Sequence, residues 1–399
     1  MSEDKYIVRT PLLDAKQQVK GYQLAWQKKA SSAEAASDAD LHRLLALVAK
    51  RASDASLGLL FLHAGSAALS AETLQGLAPE NTVLLLNRSD LQDESQITFA
   101  HALREQGFGL GLRDADLVFL QSNEQVLALM SYLEVGFGHP DLAAIAQHAK
   151  QIHPQLCVLV DRLPSGWAFD DCARLGVNGF FTDICATPVK SSAPGELGPQ
   201  TVLILQLMQM VQENADVREL EKLLKRDAVL SYKLLRYINS PFFGIDVEIQ
   251  SLRHAVAMLG YSPLFRWLSL FLAMTHTADY SPGLLQAAIV RGRFAELLGQ
   301  GLLSKSEAEN LFIVGMFSLL DRLLGIPVQE VLKQITLPEA IAQALLSRDG
   351  EYGPFLALVE ACEREPGCAS ELADALFMTA PQVNQAHLSA LAWAQTLKL

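Results

Sequence analysis

ADVRELEKLLKRDAVLSYKLLRYINSPFFGIDVEIQSLRHAVAMLGYSPL, residues 215–264, decides the reading of the C-terminal half of the chain. Leu220, Leu223, Leu224, Leu230, Leu234, Leu235 and Ile238 recur mostly at three- and four-residue intervals, the spacing of a buried helical stripe. Asn239-Ser-Pro ends that run, because the residue before a proline avoids the helical region and proline has no amide hydrogen to donate. Phe242, Phe243 and Gly244 follow as an apolar corner. Ser251 is placed to cap a second helix carrying Ala255, Val256, Met258 and Leu259, and Gly260 can stop it in a left-handed conformation.

Downstream, every periodic segment is helical, including Leu264 to Thr275, Gly283 to Leu298, a single long stretch from Lys305 to Leu324, and a final amphipathic run from Ala380 to Leu397. Upstream lies PVKSSAPGELGPQ, residues 188–200, whose prolines, glycines and serines have the composition of an interdomain linker. Before it, apolar runs of strand length alternate with helical ones. The predicted strands are Leu57 to Leu62, Thr82 to Leu86, Phe108 to Leu112, Ser131 to Val135, Leu156 to Val160 and Gly179 to Thr182, with Tyr6 to Leu13 and Val19 to Trp26 paired around a polar turn. Helices are predicted between them at Ser66 to Leu77, Ser95 to Gln106, Pro140 to Gln151 and Trp167 to Leu175. Regular β-α alternation implies parallel strands with helical crossovers, and the strand count favours a closed TIM-like α/β barrel over an open sheet. The expected division is a barrel domain over 1–189, a linker over 190–200 and an all-α domain over 201–399.

The chain has 399 residues, half of them hydrophobic, enough for two well-packed units. A formal charge of −12 argues against a nucleic-acid binder or a reader of anionic membranes. Lys222, Lys225, Arg226, Lys233 and Arg236 are the exception, but Glu219, Glu221 and Asp227 intersperse them and the reading is a solvated face. No apolar run approaches the roughly 20 residues of a membrane span, and no signal-like leader is evident. Cys157, Cys172, Cys185, Cys362 and Cys368 form no metal-like pair, which suits a reducing cytoplasm.

Residue order is more specific than periodicity. Asp227-Ala-Val-Leu-Ser-Tyr-Lys-Leu-Leu-Arg, Asn239-Ser-Pro-Phe-Phe-Gly and Ile249-Gln-Ser-Leu-Arg-His-Ala-Val-Ala-Met-Leu-Gly together resemble the signature of HDOD domains, bacterial helical regulatory modules similar to HD phosphohydrolases without their metal ligands. The helix that would carry the His-Asp pair matches Phe312 to Gly325, with Ser318-Leu319 at the pair's place. Arg9-Thr-Pro-Leu-Leu-Asp, Val19-Lys-Gly-Tyr-Gln-Leu, Gly107-Phe-Gly-Leu-Gly-Leu and Leu175-Gly-Val-Asn-Gly-Phe-Phe make the N-terminal half resemble an EAL domain, the barrel that in active members hydrolyses cyclic di-GMP with two metal ions. The order of the two halves resembles the EAL-HDOD signalling family.

Carried over one by one, the EAL site positions mostly depart from the family pattern. Gln23 stands for the naming glutamate, His63 for a strand asparagine and Leu85 for the next glutamate. Arg113 and Asp114 stand for paired aspartates, Glu134 for the lysine that positions water, Gly136 for an aspartate, Asp161 for a later glutamate and Asn178 for the final glutamine. Gln27-Lys-Lys replaces the arginine that grips the dinucleotide. Two aspartates and an amide cannot hold a two-metal cluster.

The expectation is therefore a pseudoenzyme with no cofactor and no bound metal. It is expected to be a cytoplasmic bacterial signalling protein that acts through protein contact in a cyclic di-GMP-related pathway, such as motility or attachment. The resemblance implies a kinase, cyclase or response regulator as partner, and leaves a homodimer open. Candidate interaction residues are Arg113, Asp114, Asn239, Phe242, Phe243 and Trp267. A cyclic di-GMP sensor that binds without cutting, and a residual phosphodiesterase, are the less favoured alternatives.

Overall fold

The computed structural model describes residues 5–28, 38–52, 57–65, 69, 74–161, 163, 169–186, 198–238, 249, 251, 253–254, 256, 260–274, 281–333, 337–364 and 367–397. Eight strands close into one barrel: β1 (Ile7–Leu13), β2 (Val19–Trp26), β3 (Leu59–His63), β4 (Thr82–Asn87), β5 (Gly109–Arg113), β6 (Tyr132–Gly136), β7 (Cys157–Asp161) and β8 (Gly179–Phe181). From β2 to β8 each strand runs parallel to the next, whereas β1 is antiparallel to both β2 and β8. The predicted alternation and the barrel are thus what the chain forms.

From β3 to β7 the strands extend one residue further at their C-terminal ends than the apolar runs suggest. The pleat does not stop where hydrophobicity stops, and the extra residues are His63, Asn87, Arg113, Gly136 and Asp161. Inside the barrel Leu12, Phe61, Val83, Leu85, Leu159 and Phe181 form the core, with Leu59, Tyr132 and Cys157 against it. Phe61 meets Tyr132 and Phe181 edge-on, at ring-centroid distances of 5.0 and 5.4 Å. Two short helices not anticipated, Leu117–Ser122 and Glu124–Leu129, lie between β5 and β6. Six residues are too few to establish a helical period; the first is held by its cap, where Asp116 accepts the Phe119 amide at 2.7 Å. Most of the helix expected at Ser66 to Leu77 lies outside the described residues.

The chain divides into two compact units whose first break, at 188/189, falls beside the expected linker at 190–200. The first comprises 1–188, 281–287 and 357–399, and the second 189–280 and 288–356. Residues 357–399, expected in the helical half, therefore group with the barrel.

The second unit is helical, as expected. Its described elements include Pro199–Gln212, Val217–Leu224, Ala228–Ile238, Tyr261–Met274, most of Pro282–Gly299, Lys305–Phe317, Leu320–Leu324, Val328–Leu332 and Glu339–Ser347. The predicted single helix from Lys305 to Leu324 is two, because the chain breaks at Ser318 and Leu319, where Leu319 leaves the helical region at φ −114, ψ 10. Glu296 is buried and accepts from Arg266 at 2.8 and 2.9 Å and from Arg293 at 2.8 Å, while the Arg266 guanidinium lies 3.8 Å from the centre of the Phe312 ring. Among the described residues, no helix is long and apolar enough to cross a membrane.

Candidate functional site at the barrel mouth

Ligand sites of such barrels lie at the C-terminal ends of the strands. Side chains on a strand alternate, so residues two beyond the core positions point inward again, at the mouth. From Phe61, Leu85, Tyr132 and Leu159 this rule leads to His63, Asn87, Glu134 and Asp161; Arg113 pairs with Asn87 in register and shares its face. Gln23 is in register with Phe61.

These side chains are bonded to one another. Arg113 donates through Nε to Glu134 Oε1 at 2.6 Å, and its NH1 lies 2.7 Å from His63 Nδ1. An arginine only donates, so His63 Nδ1 accepts and the ring hydrogen sits on Nε2. That nitrogen is 2.5 Å from the Gln23 amide, whose oxygen faces it once the amide is turned to suit. The result is a chain, Gln23–His63–Arg113–Glu134, across four strands.

The Arg113 and Glu134 side chains are 17% and 4% exposed, so the pair is largely withdrawn from water. Burial raises the Glu134 carboxyl to about 6 from an ordinary 4.5, against the lowering effect of Arg113, and Asp161 and Asp114 push in the same direction as burial. Glu134 Oε2 is buried without a hydrogen-bond partner among the described residues. Asp114 is exposed and left-handed at φ 55, a conformation that aspartate tolerates better than most residues.

Two metal ions do not fit this mouth. A guanidinium lies where a carboxylate ligand is required, and the nearest carboxylate is already bonded to it. Leu85 is fully buried in the core, and the Asn178 side chain accepts the Val158 amide at 2.9 Å. Among the described residues, no group of three or more His, Cys, Asp or Glu is placed to hold a metal ion. The Gln27 amide is likewise engaged by the protein: it donates to the carbonyls of Ala361 at 2.7 Å and Arg364 at 3.2 Å and accepts from the Ala369 amide at 3.2 Å.

In the helical unit, Ser318 Oγ accepts from buried Arg291 at 2.7 Å and donates to the Gly315 carbonyl at 2.6 Å, while Leu319 is 2% exposed. Where an HD pair would bring a histidine and a carboxylate, there is a hydroxyl held by a cation and a buried leucine. Asp321 is half-buried and accepts the Arg322 amide at 2.8 Å. The residue order of this unit also matches a family model: residues 197–336 match the HDOD domain. The helical unit carries an HDOD domain. An eight-stranded barrel precedes it in the chain.

Two relatives are similar to the chain. Cyclic di-GMP phosphodiesterase CdgJ of Vibrio cholerae is 33% identical over 169 residues, 42% of this chain and 39% of that protein, so the match spans about two fifths of the relative's length. Uncharacterized protein YuxH of Bacillus subtilis is 21% identical over 410 residues, covering 98% of each chain. Among solved structures, the Bacillus subtilis YkuI protein, with an EAL domain and in complex with c-di-GMP and calcium, superposes with a TM-score of 0.37 at 14% identity over 64% of this chain and 73% of that one.

Of the HDOD candidate residues, only Trp267 lies among the described residues. It is 3% exposed and stacks on Phe271 at 4.9 Å, on the buried face of Tyr261–Met274, and so packs the HDOD core rather than offering a surface. Asn239, Phe242 and Phe243 lie outside the described residues. In the basic run, Lys222 pairs with Glu219 at 2.6 Å and Lys225 with Glu221 at 3.3 Å, while Lys233 lies over the Phe271 ring at 4.9 Å. The candidate list omitted Gln23, His63 and Glu134. Their signal was in the sequence, as polar residues two positions beyond, or in register with, an inward core residue.

Proposed function

We propose that the chain is a catalytically inactive signalling protein that acts by binding other proteins in a pathway related to cyclic di-GMP. The observation that carries this reading is the Arg113 guanidinium bonded to both Glu134 and His63. The cation and the buried carboxylate at the centre of the mouth are thus engaged with each other rather than left for a metal or a substrate phosphate. The reading is further supported by similarity to a protein named as a cyclic di-GMP phosphodiesterase and by an HDOD domain without metal-donor side chains at Ser318 and Leu319.

A cyclic dinucleotide is disfavoured for the same electrostatic reason. Arg113 faces Glu134, with Asp114 and Asp161 close by, so an incoming phosphodiester meets more carboxylate than cation. Calorimetric titration of the full-length protein with cyclic di-GMP should give no saturable heat. The same protein, immobilised and exposed to native lysate, should retain a kinase, cyclase or response regulator in stoichiometric amount. Saturable heat together with clean capture lanes would replace this reading by the nucleotide sensor.

A further inference from the structure

A barrel closes only if each strand is paired on both sides, and here one side of β1 is short of a partner. Pairing of β1 with β8 consists of Leu12 with Phe181 and Leu13 with Phe180. Toward the start of β1, no strand among the described residues pairs the edge turned away from β2. Asn384 fills that place: its Oδ1 accepts the Ile7 amide at 2.8 Å and its Nδ2 donates to the Lys5 carbonyl at 2.8 Å. One side-chain amide thus supplies both bonds that a neighbouring strand would have given.

Arg9 leaves the same part of β1 and is buried. Its NH2 lies 2.6 Å from Glu363 Oε1 and its NH1 2.6 Å from His387 Nε2, with side-chain exposures of 4% for Arg9 and 6% for Glu363. Burial and the Arg9 charge hold His387 well below the ordinary imidazole range, so it stays neutral and accepts from the guanidinium. Gln27, just past β2, adds its bonds to Ala361, Arg364 and Ala369. Glu363, Asn384 and His387 all come from beyond residue 356, where the chain regroups with the barrel, and the HDOD match has ended by 336.

We infer that residues 357–364 and 367–397 form a strap along the short β1–β8 seam of the barrel, so that the helical unit is an insertion within the barrel unit rather than a domain appended to it. Both ends of the helical unit are then tied by the chain to the barrel, and the barrel is complete only after the chain has returned. The inference stands on hydrogen bonds and burial and does not depend on the proposed function.

Hydrogen exchange on the full-length protein tests it. Asn384→Ala removes both seam bonds, and the peptide covering residues 5–13 should exchange roughly tenfold faster or more, while Gly109–Arg113 and Lys305–Phe317 keep their wild-type rates. Unchanged exchange at 5–13 would overturn the strap. Should Asn384→Ala fail to fold, a protease site placed at 190–197 and cut in the folded protein carries the test. The strap predicts that the two pieces co-elute with residues 5–13 still protected; separation of two folded pieces, or loss of protection at 5–13 alone, overturns it.

Discussion

Arg113→Ala should cost the barrel about 3–5 kcal/mol at pH 8, the usual penalty for leaving a buried charge without its partner. The carboxylate left behind is Glu134, 4% exposed and pushed further from ionisation by Asp161 and Asp114. The loss should be smaller at low pH. In the wild type the folded carboxyl titrates at about 6 and the unfolded one near 4.5, so the folded state holds the proton more tightly. Stability from this group is therefore greatest below about pH 4.5 and falls by about 2 kcal/mol as pH rises through about 6. Without Arg113 the folded value rises further, and the window of loss extends upward. Glu134→Gln should remove that pH dependence and recover most of the Arg113→Ala loss in the double variant. Urea unfolding at pH 5.5 and 8 measures all four proteins. Equal losses at both pH values, with no recovery in the double variant, would contradict a site organised around this pair.

Gly315→Val should be at least as damaging, in the helical unit. A Cβ at Gly315 would stand 2.7 Å from the Arg291 carbonyl oxygen and 2.7 Å from the Gly292 Cα; one at Gly292 would stand 2.7 Å from the Phe312 carbonyl. Pro282–Gly299 and Lys305–Phe317 therefore cross with backbone against backbone, and no side chain can move aside to make room. Alanine gains up to about 1 kcal/mol of helix propensity but forces the helices apart, for a net loss of about 1–3 kcal/mol. Valine adds more volume in a stiff shape and should cost roughly 3 kcal/mol or more, also moving Arg291 away from Ser318. Thermal unfolding of the two variants checks the order; a Gly315→Val protein with wild-type stability would contradict the crossing.

Much of this molecule was legible in the sequence because it depends on local periods. Runs such as Thr82 to Leu86, apolar after its threonine, and Leu156 to Val160 have the near-continuous apolar character of strands buried on both faces, and β4 and β7 lie there. The mouth was half-legible. Arg113 stood out as a cation in place of a carboxylate, whereas Glu134 and His63 were noted only as departures from a pattern, because their meaning lies in a register that joins three strands. The role of residues 357–397 was not legible. Asn384 and His387 sit in Ala380–Thr396, whose pattern reads as an ordinary amphipathic helix, and their partners Ile7 and Arg9 are 377 and 378 residues away in sequence. Nothing in local spacing reports a bond across that separation.

The most direct measurement of the central claim is hydrolysis of cyclic di-GMP by the full-length protein, supplied in turn with magnesium, manganese and calcium, followed by the appearance of linear dinucleotide. An arginine seated between Glu134 and His63 predicts product at the level of the protein-free control with every metal, and no gain in Arg113→Ala, where the carboxylates still fall short of a two-metal set. Metal-dependent turnover that rises with protein concentration would contradict it and make the mouth an active site.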